Sequence, residues 1–368
     1  MYLEIESLEQ FQDHKKKPFV SCAFQGLDLL QESDFLCSQT FQDCFFLGCQ
    51  LTEASAGWLA SQGCVIFPFI PNIPFHPFRG SLYTASELMA GYQTGVHSSF
   101  RDSYDAAIYS HHKQTERSNV VATLLERIHD HAVDDALEHF LSQNNRKEKA
   151  VGIMGGHSCL RNSDRYRQVA HLGHQLAQAG YLVVTGGGPG AMEAGNLGAS
   201  LAYYDSSAVD QAVDILNVAD KYTHPLWFDT ALEVCERWPN KHESLGIPTW
   251  FYGHEPSNLF STHIAKYFAN SIREDGILSI CYAGIIYAPG SAGTIQEIFQ
   301  DACQNHYGSC KHISAMLFLD TDYWTKEKPV YPLLKELSQG RLYHDMLGIC
   351  DDVPSAIAHI RAHPFVSP

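Results

Sequence analysis

Val184-Thr185-Gly186-Gly187-Gly188-Pro189-Gly190-Ala191-Met192-Glu193 and, further along, Tyr287-Ala288-Pro289-Gly290-Ser291-Ala292-Gly293-Thr294-Ile295-Gln296-Glu297 each end an apolar run in glycines and open onto a helix-like stretch. A strand that turns through glycines into a helix leaves first-turn N–H groups without internal partners, at the positive end of the helix dipole. That geometry suits phosphate. Two such loops in one domain imply a phosphorylated small molecule held between them. Glu297 falls one helical turn past the second loop.

Working outward, residues from about 150 alternate strand and helix patterns. Ala150–Met154 reads as a buried strand leading into Gly155-Gly156-His157-Ser158. A helix follows, capped at Asn162 or Ser163, with Val169, Leu172, Leu176 and Ala177 inward and Gly180 as its stop. Further strands are expected at 181–184, 212–217, 247–252, 283–288 and 314–319. Helices are expected at 189–202, 225–238, 260–273, 292–305 and 353–362. This alternation predicts an α/β, Rossmann-like, doubly wound parallel sheet, with ligands at the carboxyl ends of the strands.

Residues 1–118 read differently, as an irregular, partly β accessory domain. Ala23–Glu53 carries Phe, Leu and Cys at short intervals, with Phe41, Phe46 and Leu51 the clearest run. Either a small stacked-turn solenoid or a few short strands accounts for it. VIFPFIPNIPFHPFRGSLYT follows, and its prolines forbid a regular helix or central strand, leaving an extended aromatic strap. Residues 119–148 form a linking segment. Val121, Leu124, Leu125, Ile128, Ala132, Ala136, Leu137, Phe140 and Leu141 recur at helical spacing there. The domain of interest is then 149–368.

With 25 basic and 41 acidic residues, the net charge of -16 disfavours nucleic acid and anionic membrane. A small phosphate ligand bound by backbone N–H groups needs no net positive charge. The uncharged stretch 276–296 has the length of a membrane span, but Pro289 and its glycines make it a strand and loop. The N-terminus lacks the basic start and apolar core of a signal peptide, and the 11 cysteines form no CxxC pair. A cytoplasmic protein with reduced thiols is expected. His111-His112 and the HDH at 129–131 lack a second ligand cluster at zinc-like spacing, so no metal is expected.

No GxxxxGK[ST] occurs, which excludes a P-loop NTPase. The dinucleotide fingerprint fits poorly, because the position three after Gly190 is Glu193 and Asp205 lies in a polar stretch. A mononucleotide or sugar phosphate between two loops fits. GGGPGAMEA (186–194) and PGSAGTIQE (289–297) resemble the GGGxxGxM and PGGxGTxxE signatures of the LONELY GUY (LOG) family, long labelled lysine decarboxylase-like. The likeness covers about residues 150–362 and is nearest to the bacterial nucleotide 5′-monophosphate nucleosidases. IPTWFYGHEPSN (247–258) resembles the family's strand and turn, and YFANSIRED the helix bearing its active-site arginine, which matches Arg273. Residues 1–150 match no part of the short plant-type enzymes.

The resemblance implies a phosphoribohydrolase that cleaves the N-glycosidic bond of a nucleoside 5′-monophosphate with water and no metal or redox cofactor, in a homodimer or larger homo-oligomer. Glu297 and Arg273 would be catalytic. Gly155, Ser158, Gly187, Gly188, Gly190, Met192, Glu193, Glu255, Asn258, Gly290, Ser291, Ala292, Gly293 and Thr294 would surround the substrate. Ser291 replaces the second glycine of PGG, and Arg273-Glu274 replaces Arg-Lys. Independently of any family, breaking a ribosyl–base bond builds positive charge on the sugar, which a nearby carboxylate stabilises. Glu297 and Glu193 also read as acids that complement a helix dipole, Met192 as packing, Arg273 as a surface ion pair, and Asn258 and Glu255 as turn residues. Trp250 and Tyr252 read as strand core. A non-catalytic nucleotide sensor and a dinucleotide enzyme are the competing functions.

Overall fold

The structure is a computed structural model that describes residues 2–368 apart from Arg117, Gly253, His254, Glu255 and Lys311. The chain divides into two compact units, Met1–Leu82 with Ser110–Glu138 and Tyr83–Tyr109 with His139–Pro368. Residues 83–109 therefore go with the carboxy-terminal unit, whereas the sequence reading drew its boundaries at 118 and 148. Among the described residues no helix is long and apolar enough to cross a membrane.

The second unit is built on a seven-stranded, all-parallel sheet. Its elements in chain order are β1 (Ala150–Met154), α1 (Asp164–Gln178), β2 (Leu182–Thr185), α2 (Ala191–Ser200), α3 (Ser206–Leu216), α4 (Trp227–Arg237), β3 (Ser244–Gly246), β4 (His263–Ile264), α5 (Asn270–Ile280), β5 (Gly284–Tyr287), α6 (Ala292–Tyr307), β6 (Met316–Leu319), α7 (Val330–Leu337), β7 (Leu347–Cys350) and α8 (Val353–Ala362). The spatial order is β4-β3-β2-β1-β5-β6-β7. The chain leaves β1 toward one edge and returns beside β1 toward the other, so the order reverses between β1 and β5. Ligands in such sheets sit outside the carboxyl ends of the strands at that reversal. Every residue of β1, β2, β5 and β6 is buried, as expected for strands covered on both faces.

Local chemistry accounts for the best-read elements. The Ser163 hydroxyl accepts the Tyr166 N–H at 3.2 Å to start α1, and Gly180 at φ +87° follows its end. Three expectations differ from the fold. Residues 212–217 end helix α3 rather than forming a strand: Ala208, Val209, Ala212, Val213 and Leu216 are its buried stripe, and a short apolar run does not by itself distinguish the two. The strand expected at 247–252 stops at Gly246, before Pro248, which has no N–H to give a ladder. The helix expected at 260–273 begins only at Asn270, after β4. β7 and α7 had no counterpart among the expected elements.

The first unit is more regular than its sequence suggested. Leu3–Ile5, Cys22–Gln25, Phe45–Leu47 and Val65–Phe67 form a four-stranded parallel sheet in that order, and Phe19–Val20 pairs with Phe41–Gln42. Helices Leu8–His14, Ser33–Ser38 and Glu53–Ser61 connect the layers. The short strands do stack in layers, but the layers are spaced by 19 to 22 residues, not by the short interval of Phe41, Phe46 and Leu51. Phe19 pairs with Phe41 and Phe24 with Phe46, a common offset of 22 residues, and both pairs stack, with centroids 4.9 and 4.4 Å apart. Ser21 and Asp43 occupy the same left-handed bend in successive layers (φ 51° and 53°). All eleven cysteines are unpaired. The expected amphipathic helix runs unbroken over Val120–Ser142, with Leu125, Val133, Leu137 and Leu141 buried but Val121 and Leu124 exposed.

Candidate functional site

Three turns meet at the carboxyl ends of β1, β2 and β5. The Gly156 N–H donates to the Pro289 carbonyl at 3.1 Å, and the Gly156 carbonyl accepts from the Ala191 N–H at 3.2 Å. The turn after β1 is thus bonded to both glycine loops. Gly190 sits at φ +75° with the Gly156 carbonyl 2.5 Å from where a Cβ would stand, so the close approach requires glycine. The second loop is held by the helical turn Tyr323–Glu327. There the Tyr323 hydroxyl donates to the Gly290 carbonyl at 2.5 Å and the Trp324 indole N–H to the Tyr287 carbonyl at 3.1 Å.

Both loops line one cavity of about 600 Å³, a size suited to a small-molecule ligand. Pro189 and Met192 enter it from the first loop, Gly155, Gly156 and His157 from the turn after β1, and Ser291, Ala292, Gly293 and Thr294 from the second loop. Arg273 and Glu274 of α5 and Gln296 and Glu297 of α6 complete one side, and Tyr222, Tyr252 and Pro256 another. The Ser291 side chain makes no capping bond, and the Ile295 N–H, bonded to the Ser291 carbonyl at 2.9 Å, begins the ladder of α6. The N–H groups of Ala292, Gly293 and Thr294 precede that ladder at the cavity wall, where an anion gains most. Ser291 takes φ −112°, so the position that is glycine in the resembling signature needs no left-handed residue here.

Glu297 is largely buried, and the Arg273 Nη1 lies 3.3 Å from its Oε1. Burial pushes its carboxyl up to about 7, Arg273 pulls it back, and the nearby charge of Glu274 adds to the rise. The Arg273 Nε is buried without a hydrogen-bond partner among the described residues. Glu274 is held on both oxygens: Oε1 accepts from Asn270 Nδ2 at 2.6 Å and from the Tyr252 hydroxyl at 3.1 Å, and Oε2 from Gln296 Nε2 at 3.0 Å. One turn beyond Glu297, Asp301 is buried and accepts the Tyr287 hydroxyl at 2.7 Å. Burial raises its carboxyl to about 7 despite that bond. It does not line the cavity.

Of the residues expected around a substrate, Gly155, Met192, Ser291, Ala292, Gly293, Thr294, Arg273 and Glu297 line the cavity. Gly187, Gly188, Gly190 and Gly290 shape the loops without lining it. Ser158 is exposed and stands outside it. Two expectations are corrected. Glu193 faces the interior, where Arg161 holds both its oxygens at 2.9 and 2.6 Å and the Tyr166 hydroxyl donates at 2.8 Å. Asn258 is buried with Asn196, to which its Nδ2 donates at 3.0 Å, while Asn196 also accepts from Thr185 at the base of the first loop. Glu255 lies outside the described residues. Tyr252, read as strand core, is 57% exposed and lines the cavity, whereas Trp250 is core. Tyr222, Pro256, Glu274 and Gln296 were not anticipated. Only the place of Glu274, beside Arg273, marked it in advance.

Residues 148–203, the turn after β1 and the first glycine loop included, match the SLOG cluster4 family. No curated protein matches the chain. Similar solved structures include the molybdenum cofactor binding protein of the phototrophic bacterium Rippkaea orientalis, at 15% identity and a TM-score of 0.36 over 58% of this chain and 95% of that one. The molybdenum cofactor carrier protein of Chlamydomonas reinhardtii is similar at 14% identity and a TM-score of 0.35, over 58% of this chain and 96% of that one.

Proposed function

We propose that this protein hydrolyses the N-glycosidic bond of a nucleoside 5′-monophosphate, releasing the free base and ribose 5-phosphate. One observation carries the reading: a largely buried carboxylate, a guanidinium and the open first turn of α6 line the same cavity. The N–H groups of Ala292, Gly293 and Thr294 would hold the 5′-phosphate. Binding energy gained there is available at the reacting bond. The C1′–N bond breaks with its electron pair leaving on the base nitrogen, and positive charge grows on the sugar. Ionised Glu297 stabilises that charge and orients water, which adds to C1′ while its proton goes to the base. Arg273 ties down Glu297 and supplies the cation for the phosphate or the departing base.

Glu274 favours a second reading. It puts another carboxylate in the cavity, as expected if hydrolysis were lost and a nucleotide-binding sensor remained. Incubating the purified protein with AMP, GMP, CMP, UMP and N6-modified AMP, and separating the products by chromatography, distinguishes the two. Free base with an equal yield of ribose 5-phosphate supports the hydrolase. Saturable nucleotide binding without products supports the sensor, and binding of none of them sinks both.

A further inference from the structure

Asp105 belongs to the segment 83–109 that goes with the second unit, and the proposed chemistry makes no use of it. Its carboxylate is 2% exposed. Oδ1 accepts the Trp250 indole N–H at 2.7 Å and Lys266 Nζ at 2.8 Å. Oδ2 accepts the Ser257 hydroxyl at 2.6 Å and Lys266 Nζ at 3.0 Å. Trp250 stands two residues before Tyr252, and Ser257 directly follows Pro256; Tyr252 and Pro256 both line the cavity. One carboxylate therefore holds a near neighbour of each. Its foundation is equally fixed: the Tyr267 carbonyl accepts the Trp250 N–H at 2.9 Å and the Thr249 hydroxyl at 3.0 Å, and the Tyr83 and Ile264 backbones exchange bonds at 2.9 and 2.8 Å.

We infer that Asp105 is a positioning residue, which sets Tyr252 and Pro256 at the cavity and thereby the grip on the part of the ligand beyond its phosphate. The inference rests on the nucleotide reading. The phosphate donors are backbone N–H groups of the second loop, which Asp105 does not touch. Tyr252 and Pro256 present an aromatic ring and a proline, surfaces that suit a planar base, and the Tyr252 hydroxyl is already donated to Glu274. A buried carboxylate with charge-assisted bonds on both oxygens resists displacement, and losing it frees the Trp250 and Ser257 anchors at once.

The test compares the wild type with Ser257→Ala and with the double variant Asp105→Asn/Lys266→Met. The double variant removes the two buried charges together, so no unpaired ammonium is left to unfold the protein. Each is titrated calorimetrically with AMP and with ribose 5-phosphate, and digested with chymotrypsin well below its melting temperature. In the double variant AMP affinity is expected to fall about tenfold while ribose 5-phosphate affinity stays within about twofold, and cleavage at residues 250–252 to accelerate about tenfold. Ser257→Ala shifts the same readouts less. A merely structural role lowers the melting temperature and leaves the AMP to ribose 5-phosphate ratio and the cleavage rate unchanged, which overturns the inference. If the wild type binds neither ligand, the nucleotide reading fails, and the cleavage rates alone decide whether Asp105 holds Tyr252 and Pro256 in place.

Discussion

The Arg273 guanidinium reaches across from α5 to the Glu297 carboxylate on α6, 3.3 Å away at the edge of the cavity. The pair joins the cation and the acid that the proposed reaction needs. Replacing Glu297 by Gln keeps the shape and removes the charge. Base release from AMP is then expected to fall by at least about a hundredfold, the scale of a positioned acid–base group, with the melting curve still cooperative. Arg273→Ala should lower release comparably and weaken ribose 5-phosphate binding. Chromatography of AMP digests checks both, and wild-type turnover in Glu297→Gln would refute the mechanism.

The same carboxyl makes stability depend on pH with a definite sign. Its folded value, about 7, lies above the ordinary 4.5. Between those values the folded protein keeps a proton that the unfolded chain has released. The resulting destabilisation is absent below the unfolded value, grows as pH rises, and is complete above the folded one. Glu297→Gln should therefore be more stable than wild type at about pH 8, with the gap closing by about pH 4. Urea unfolding at several pH values reads this directly. Because the reaction uses the ionised form, wild-type kcat/KM should rise through about 7 and level off above it.

Glu193 and Arg161 form a fully interior ion pair, and the Arg161 guanidinium also lies over the Trp227 ring, 3.2 Å from its centroid. Removing one partner leaves a buried charge alone. Glu193→Gln and Arg161→Met should each cost about 3–5 kcal/mol of stability, while folded protein binds AMP as the wild type does. Denaturant unfolding beside calorimetry checks this. A selective loss of affinity at unchanged stability would restore Glu193 to the ligand site.

Gly190→Ala drives a methyl group against the Gly156 and His157 carbonyls, 2.5 and 2.7 Å from the Cβ position. The first loop and the turn after β1 must then separate. AMP binding is expected to fall at least about tenfold, in excess of the roughly 1–3 kcal/mol destabilisation that backbone strain of this kind brings. Titration at a temperature where the variant is folded measures it.

Phe24 and Phe46 stack in the amino-terminal unit with both rings fully buried. Phe46→Ala should destabilise that unit by about 3–5 kcal/mol. Thermal unfolding followed by hydrogen exchange checks whether the loss is confined to its strands.

Much of the second unit was legible because its signals are local. The cap at Ser163, the stop at Gly180, the apolar strand before each glycine loop and the helix after it are properties of a few adjacent residues. The amino-terminal stack was harder to read. Its layers are spaced unevenly, by 19, 22 and 20 residues, so the Phe19–Phe41 and Phe24–Phe46 pairs reveal themselves only once the layers are stacked. Residues 212–217 (AVDILN) carry four apolar groups in a run too short to tell the end of a helical stripe from a buried strand.

By itself the sequence determined the two glycine loops, the helix start behind each, and an acid one turn along the second helix, because backbone freedom and helix periodicity act over a few residues. Only the tertiary structure decided which way each acid faces. Glu193 in the first turn of its helix and Glu297 in the second turn of its own both follow a glycine loop, yet one is taken by Arg161 in the core and the other is left at the cavity beside Arg273. That choice depends on partners 32 and 24 residues away, brought near by the packing of successive strand–helix units, and no local pattern encodes it.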